Sequence, residues 1–515
     1  MKKPKDHIAA LRTARQELKT MDLTRAREKS LSTGKLSAWK RIEELLDPGT
    51  FQELFPLAEH QCRDFGMDKV KIPRDGVITG QGKIDGRLVF VYAQDSTVAG
   101  GSVGVIHAQK ICTLMDLAVN SGSPIIGLID SVGARMQEGL GSWNYGSIFA
   151  RTARASGSVP QISAIMGMCV GGGVYAPALT DFILMVETST MFITGPPVLK
   201  VVSGEEISKE DLGGSKIHFK KSGVVDFLSK DDRECLLLIR RIMGYLPSNS
   251  RENPPSQEES NIVPQQEYLD TIVPLDSKKV YDMRKIIIGV VDRESFLEVK
   301  SGYAQNIIVG LARLDGKPVG IIANQPKVLG GAIDINAADK SARFIRICDS
   351  FKIPLVTIVD TPAYLPGVNQ EYGGIIRHGA KMLYAYAEAT VPKVTIVVRK
   401  SYGGAISAMC GIKSMGVDQI YGWPTAEVAI MGAEVAVNSL FRKQIEQSED
   451  PVSLRAKMIE DYHEEYYNPL RLANRWFLDD VIEPKETRSR LIRSLEMLSN
   501  KVEGRPPKRH GNIPL

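Results

Sequence analysis

The chain has 515 residues, of which 43% are apolar and 24% charged, and its formal net charge is +5. This composition is typical of a globular protein with two to four domains, and it excludes a disordered or fibrous chain. No apolar run approaches the roughly 18–20 residues that a membrane span needs, and no signal-peptide core is visible.

The chain begins with a basic segment, residues 1–41, that contains twelve Lys/Arg and four Asp/Glu. Ile8, Leu11 and Leu18 keep the spacing of one helix face. Because the charges are mixed and aromatic residues are not interleaved with them, we interpret this segment as a solvated docking helix. No nucleic-acid partner is expected.

The six cysteines stand singly without a CxxC pair, and the seven histidines show no metal-ligand spacing. Neither a disulfide framework nor a metal site is therefore predicted, and a cytoplasmic location is expected.

The sequence repeats itself in a fixed order. Residues 82–94 resemble residues 312–324, and the apolar run 124–130 matches the run 354–360, both at an offset of 230. The pair Gly171-Gly172 matches Gly403-Gly404 at an offset of 232. This repetition predicts a duplicated domain.

A polar, proline-rich stretch near residues 247–260 separates the two copies, as linkers do. We therefore expect an N-terminal domain at 1–250, a linker at 251–264 and a C-terminal domain at 265–515. The continuous apolar runs 124–130 and 354–360 are typical of strands buried on both faces, and helical patterns alternate with them. The predicted fold class is α/β with mainly parallel sheets.

A glycine cluster follows a predicted strand in each copy, around Gly171-Gly172 and around Gly403-Gly404. Glycines at a strand-to-helix turn expose backbone amides, and two converging amides form an oxyanion hole. Close packing of helix on sheet would favour the same residues, so that alternative stays open. The loop after residue 130 also carries Arg135, which could bind a phosphate or carboxylate or instead pair with Glu138 or Asp130.

Ten segments carry a family resemblance along the whole chain. They are residues 34–37, 130–135, 171–172, 177–181, 194–196, 324–326, 370–381, 399–405, 423–427 and 512–515. With them the chain resembles the carboxyltransferase subunit of biotin-dependent acyl-CoA carboxylases, of the propionyl-CoA carboxylase β and methylmalonyl-CoA decarboxylase α type. The resemblance implies two tandem crotonase-like (ββα-spiral) domains, a homo-hexamer, and an active site between domains of different subunits.

The resemblance also implies the reaction. The carboxyl group would pass between carboxybiotin, on a separate carrier protein or biotin carboxylase/carrier subunit, and the α-carbon of a short-chain or branched acyl-CoA. By the family pattern, the amides of Gly171 and Gly172 would hold the acyl-CoA carbonyl oxygen. The amides of Gly404 and Ala405 would hold the biotin ureido oxygen. No ATP-binding P-loop and no biotin-attachment motif are present, so the carrier is expected to be another chain.

Five residues are expected at the substrate: Arg135, Tyr175, Ala363, Ile406 and Ser407. Ile406-Ser407 stand where propionyl-type members have Tyr-Asp, at a position that gauges acyl size. Ala363 stands in place of a family glycine. These departures leave the acyl group open.

Two alternatives remain at this point. A membrane-coupled acyl-CoA decarboxylase would run the same chemistry in the opposite direction at the same site. A crotonase-type hydratase or isomerase would need a carboxylate pair beside its oxyanion hole, where this chain has Val174, Tyr175 and Ala176.

Overall fold

The computed structural model describes residues 4–257, 266–274, 276 and 279–514. The chain divides into two compact units, which we call the N unit (residues 1–253) and the C unit (residues 254–515). Of the predicted linker 251–264, residues 258–264 lie outside the described residues.

The N unit has the following elements. Its strands are β1 Gln52–Leu54, β2 Val77–Ile84, β3 Arg87–Gln94, β4 Ile125–Ser131, β5 Gln161–Val170, β6 Phe182–Val186, β7 Thr190–Phe192 and β8 Phe227–Ser229. Its helices are α1 Pro4–Thr33, α2 Ala38–Leu45, α3 Val105–Ser121, α4 Tyr145–Ala155, α5 Tyr175–Ala178, α6 Pro196–Val202, α7 Lys209–Gly213, α8 Ser215–Ile217 and α9 Asp232–Met243.

The C unit repeats this order. Its strands are β9 Leu297–Val299, β10 Ile307–Leu314, β11 Lys317–Asn324, β12 Leu355–Thr361, β13 Lys393–Tyr402, β14 Gln419–Gly422, β15 Glu427–Ala429 and β16 Asp480–Val481. Its helices are α10 Leu269–Ile272, α11 Met283–Val290, α12 Ile335–Ser350, α13 Val368–Gly373, α14 Ile375–Glu388, α15 Gly404–Ala408, α16 Ala433–Leu440, α17 Arg442–Glu446, α18 Pro451–Tyr466, α19 Pro469–Asn474 and α20 Thr487–Met497.

Each unit is built on one mixed sheet. The strand order is β1-β2-β3-β4-β5-β6-β8 in the N unit and β9-β10-β11-β12-β13-β14-β16 in the C unit, with β7 beside β5 and β15 beside β13. The first three strands of each sheet pair antiparallel and the remaining pairs are parallel. The central strands β4 and β12 are buried throughout, as the continuous apolar runs predict.

The repeated segments 82–94 and 312–324 each contain the turn of a β-hairpin in the sheet of their own unit. The Asp-Gly turns at Gly86 and Gly316 have positive φ at both residues, which suits the two-residue turn of a twisted hairpin. Asp47 accepts a hydrogen bond from the Gly86 amide at 2.9 Å, and Asp292 accepts one from the Gly316 amide at 2.8 Å. The same contact, from an aspartate to the glycine amide, therefore stabilises the hairpin turn in both units.

The long basic helix α1 precedes the N-unit sheet. Ile8 and Leu11 are exposed on it, while Leu18 is buried. None of the described helices is both long and apolar enough to cross a membrane.

Candidate active site

In the N unit, the candidate site is the turn after β5. This strand ends at Val170, and residues Gly171–Val174 form one 3-10 turn that leads into α5. Gly171 has φ +66°, which L side chains rarely adopt, and a Cβ on Gly171 or Gly172 would meet no atom within 4 Å. The first amides of a helical turn have no partner inside the turn. The amides of Gly171 and Gly172 therefore have no partner inside the turn, and open space lies beside both residues.

Two neighbouring glycines serve packing instead. A Cβ on Gly167 would lie 1.9 Å from Asp130 Oδ1, and one on Gly173 would lie 2.9 Å from the Tyr145 hydroxyl oxygen. Both distances are shorter than real carbon contacts, so these two positions need glycine for close approach. The packing explanation thus applies to Gly167 and Gly173 and not to Gly171 or Gly172.

In the C unit, the equivalent turn follows β13. Gly403 has φ +58°, and its amide donates to the Ala429 carbonyl oxygen at 2.9 Å, so β15 holds the start of the turn. A Cβ on Gly404 would meet only the Tyr364 ring, at 3.8 Å, which is ordinary contact. The amides of Gly404 and Ala405 belong to the first turn of α15, although the Ala405 side chain is buried.

The loop after β12 borders this C-unit turn. Ala363 is half-buried, and its carbonyl oxygen accepts a hydrogen bond from the Ile333 amide at 3.1 Å. The next residue, Tyr364, donates its hydroxyl to the Gly379 carbonyl oxygen at 3.2 Å, and burial raises the pKa of Tyr364 to about 12. Sequence reasoning selected Ala363 and missed Tyr364, although an aromatic residue one position further along was a visible signal.

The remaining selected residues follow the two turns directly. Ile406 and Ser407 are half-buried on α15, just after the Gly404 amide. Tyr175 is the first residue of α5 and is 47% exposed, with its ring edge-on to Phe149 at 6.0 Å between centroids. Each of these residues therefore lies beside the turn of its own unit.

A buried ion-pair network supports the N-unit turn. Arg41 is fully buried, and its Nη1 lies 3.2 Å from Asp130 Oδ2 while its Nε lies 2.9 Å from Asp232 Oδ2. Its Nη2 donates to the Met166 carbonyl oxygen at 3.2 Å. Asp130 also accepts from the Met168 amide at 3.4 Å. The network therefore holds β5 a few residues before the glycine turn.

The C unit achieves the same support with different residues. Asp360 accepts from the Tyr281 hydroxyl at 2.7 Å and pairs with Arg399 at 3.1 Å. The Lys400 amide donates to Asp360 Oδ1 at 3.1 Å. Lys400 occupies the place that Met168 has in the N unit. The carboxylate is thus repeated, but its arginine comes from β13 and not from α2.

The sequence left Arg135 open to a bound anion or to a salt bridge, and the structure shows the side chain in a buried salt bridge. This side chain is 2% exposed, and its Nη1 pairs with Asp75 and, at 2.8 Å, with Glu138. Its Nη2 donates to the Ser102 carbonyl oxygen at 2.8 Å. Glu138 and Asp130 were both expected as alternative partners of Arg135. Glu138 is a partner, whereas Asp130 pairs with Arg41 instead. Arg135 therefore anchors the loop from inside because its charge is already neutralised by protein groups.

His107 lies in the same buried region. Its Nδ1 is 2.8 Å from the Asp75 carbonyl oxygen, so Nδ1 carries the proton, and its Nε2 is 3.2 Å from Gln94 Nε2. Burial lowers the pKa of His107 to about 3. The imidazole is therefore neutral at physiological pH and serves a structural role.

The burial of His107 predicts how the stability of the N unit depends on pH. Below pH 6.5 the unfolded chain protonates His107 and the folded chain does not. The free energy of unfolding should therefore decrease as the pH is lowered, by up to about 1.4 kcal/mol per pH unit. Urea unfolding of His107→Asn between pH 7.5 and 5 should show a smaller loss than the wild type. The exposed control His510→Gln should keep the wild-type slope. Equal slopes for wild type and His107→Asn would contradict the assignment.

Within the part of the chain that the structure describes, no three His, Cys, Asp or Glu side chains are grouped to hold a metal ion.

A protein-family model described as the carboxyl transferase domain matches residues 29–513. The chain is 51% identical to methylmalonyl-CoA decarboxylase subunit alpha of Propionigenium modestum, over 95% of each chain. It is 52% identical to the carboxyltransferase subunit of propionyl-CoA carboxylase from Haloferax mediterranei, over 94% of each. The crystal structure of transcarboxylase 12S, a hexamer with methylmalonyl-CoA and methylmalonic acid bound, matches with a TM-score of 0.97 at 47% identity, covering 100% of this chain and 99% of that one.

The chain therefore belongs to the carboxyl transferase family. Within that family it is a carboxyltransferase of the biotin-dependent acyl-CoA carboxylases. The predicted family and the predicted pair of tandem crotonase-like domains are both confirmed. The alternative of a crotonase-type hydratase or isomerase is not supported.

Proposed function

We propose that this enzyme transfers a carboxyl group between carboxybiotin, borne by a separate carrier protein, and the α-carbon of a short-chain acyl-CoA such as propionyl-CoA. The observation that carries the proposal is the open backbone at Gly172 and Gly404. Equivalent turns in duplicated units offer amide donors to two different oxygen atoms. Two oxyanion sites match a reaction in which both reactants carry an oxygen that becomes negative.

Each turn has its own task in this proposal. In the N unit, the amides of Gly171 and Gly172 bind the thioester oxygen and stabilise the charge that develops when the α-proton leaves. In the C unit, the amides of Gly404 and Ala405 bind the ureido oxygen of biotin. Donors that strengthen as charge develops lower the barrier without binding the ground state equally well.

The residues beside the turns fit these groups. A thioester or ureido oxygen can approach Gly172 and Gly404 because a Cβ there would fill otherwise open space. Biotin, when bound, supplies or accepts the carboxyl group, and its ureido nitrogen can serve as the base. The chain's own task is then to orient the reactants and to hold their oxygens.

Further proposals follow from the family. We assign the N-terminal carboxyltransferase domain to 1–250, the linker to 251–264 and the C-terminal domain to 265–515. The related 12S protein is a hexamer, and we propose a homo-hexamer here as well. The partner would be a biotin carboxyl carrier protein or a biotin carboxylase/carrier subunit, and the location cytoplasmic.

The direct test uses free biotin as the carboxyl acceptor. The purified full chain is incubated with biotin and with malonyl-CoA, methylmalonyl-CoA or ethylmalonyl-CoA, without ATP. We expect biotin-dependent loss of the carboxyl group, with formation of the corresponding acyl-CoA. Absence of transfer from every thioester would overturn the proposed function.

A decarboxylase subunit is the second candidate, since one close relative is named methylmalonyl-CoA decarboxylase subunit alpha. The two candidates share the site and differ in the partner. Purification of the tagged chain from its own cells should recover a biotinylated protein. An ATP-dependent biotin carboxylase bound to it supports the first candidate, and a membrane-embedded decarboxylase supports the second.

The position of Ser407 predicts an effect on acyl size. Ser407→Asp adds charge and volume beside the C-unit turn and should shift preference from longer or branched acyl chains toward shorter ones. One methylene in an apolar pocket is worth ~1–3 kcal/mol. The ratio of kcat/KM between longer and shorter thioesters should therefore change by roughly 10-fold or more. Ser407→Asn, in which the new side chain has nearly the shape of Asp without its charge, separates the effect of charge from that of volume. An unchanged ranking in both variants would exclude a size-gauging role.

A further inference from the structure

A second polar cluster lies behind the C-unit turn. A cleft of about 930 Å³ in the C unit is lined by Tyr402, Glu427 and His463, together with residues of α16, α18 and α19. The turn chemistry described above uses none of these side chains. Their position directly against β13 raises the question of what they contribute.

Glu427 is the centre of this cluster. Its Oε2 accepts a hydrogen bond from the Tyr402 hydroxyl, and its Oε1 lies 3.2 Å from His463 Nε2. The Glu427 side chain is 16% exposed, whereas that of His463 is 52% exposed. Burial, and then the charge of Glu427, raise the pKa of Tyr402 far above its ordinary value. Tyr402 therefore stays protonated and acts as the donor.

This hydrogen bond joins two strands at the point where the turn begins. Tyr402 is the last residue of β13, directly before Gly403, and Glu427 is the first residue of β15. In the ladder, Lys400 pairs with Glu427 and Tyr402 pairs with Ala429. Side chains two residues apart on a strand share one face, so Tyr402 and Glu427 meet diagonally on that face. Their contact adds a side-chain link to the backbone bond between β15 and the turn.

The duplicated N unit shows what the fold can do without this link. There, β5 pairs with β7 in the same way, with Met168 opposite Thr190 and Val170 opposite Phe192. Val170 stands where the C unit has Tyr402, and Thr190 stands where it has Glu427. Val170 and Thr190 cannot form a carboxylate–phenol pair, so the N unit has the same strand register without this side-chain link. Because the shared fold forms in the N unit without this hydrogen bond, we relate the Tyr402–Glu427 contact to the reaction of the C unit.

We propose that Glu427 is a positioning residue that acts through Tyr402 to fix the end of β13 and thereby the direction of the Gly404 amide. This role rests on the proposed function, in which that amide binds the biotin ureido oxygen. A donor displaced by about 1 Å can cost on the order of 10²-fold in rate. Loss of the link should therefore lower turnover without affecting binding of the acyl-CoA.

The test uses the full chain with free biotin and methylmalonyl-CoA. Tyr402→Phe removes only the hydroxyl and should lower kcat roughly 10- to 100-fold, while the Kd for propionyl-CoA, measured by calorimetry, stays within about 2-fold. Glu427→Ala should match it, and the double variant should be no worse than either, since both remove the same bond. Glu427→Gln keeps an acceptor oxygen and should recover much of the lost rate.

Tyr467→Phe is the matched control. Tyr467 lines the same cleft and packs beside Tyr402 at 5.8 Å between ring centroids, but its hydroxyl donates to the Met431 carbonyl oxygen. Its turnover should stay within about 2-fold of the wild type. An equal loss in this control, or an unaffected Tyr402→Phe in an active wild type, overturns the positioning role alone. A wild type that transfers no carboxyl group overturns the proposed function and this role together.

Discussion

Substitution of Gly172 or Gly404 by valine is expected to lower kcat by about 10²–10³, or ~3–4 kcal/mol, with little change in melting temperature or oligomer size. At each position the new Cβ projects into open space or into ordinary contact, so the fold has room for it. That space is where the oxyanion would bind, and the side chain would keep the oxygen from the amide. Steady-state kinetics and thermal melting of the same preparations measure both effects.

Gly167→Ala provides the opposite control in the N unit. Its Cβ would lie 1.9 Å from Asp130 Oδ1, so this single methyl group must displace a buried carboxylate. We expect a clearly lower melting temperature for this variant. If Gly172→Val behaved in the same way, with reduced stability and normal turnover per folded molecule, Gly172 would be a packing residue and the oxyanion assignment would be wrong.

Arg41→Met is expected to lower the free energy of unfolding of the N unit by about 3–5 kcal/mol. Arg41 is fully buried and pairs with both Asp130 and Asp232, and methionine fills similar space without a charge. Removal of one member of a buried network leaves uncompensated carboxylates in a medium that solvates them poorly. Urea unfolding followed by fluorescence measures the loss.

The control for this prediction is Arg233→Ala. Arg233 pairs with Glu44 at 3.0 Å, but its side chain is 68% exposed, so water screens this pair and its loss should barely change the stability. Adding Asp130→Asn to Arg41→Met should recover part of the stability, since one buried charge is removed. A loss for Arg41→Met no greater than that for Arg233→Ala would show that the network does not stabilise the unit.

The local pattern of the sequence predicted much of the architecture. Continuous apolar runs at residues 124–130 and 354–360 predicted β4 and β12 within one residue at each end. The repeated glycine pairs marked both strand-to-helix turns. These features are visible in the sequence because they depend on residues close together in the chain, whose periodicity and backbone freedom can be read directly.

The tertiary structure alone decided which glycines face open space and which charges are already paired. The sequence allowed Arg135 to bind an anionic group, yet Asp75, 60 residues earlier in the chain, pairs with its guanidinium. The equivalent carboxylates Asp130 and Asp360 take their arginines from different elements, α2 and β13. Pairing of this kind is set by three-dimensional packing between distant segments, because a buried charge must find its partner wherever the fold brings one within reach.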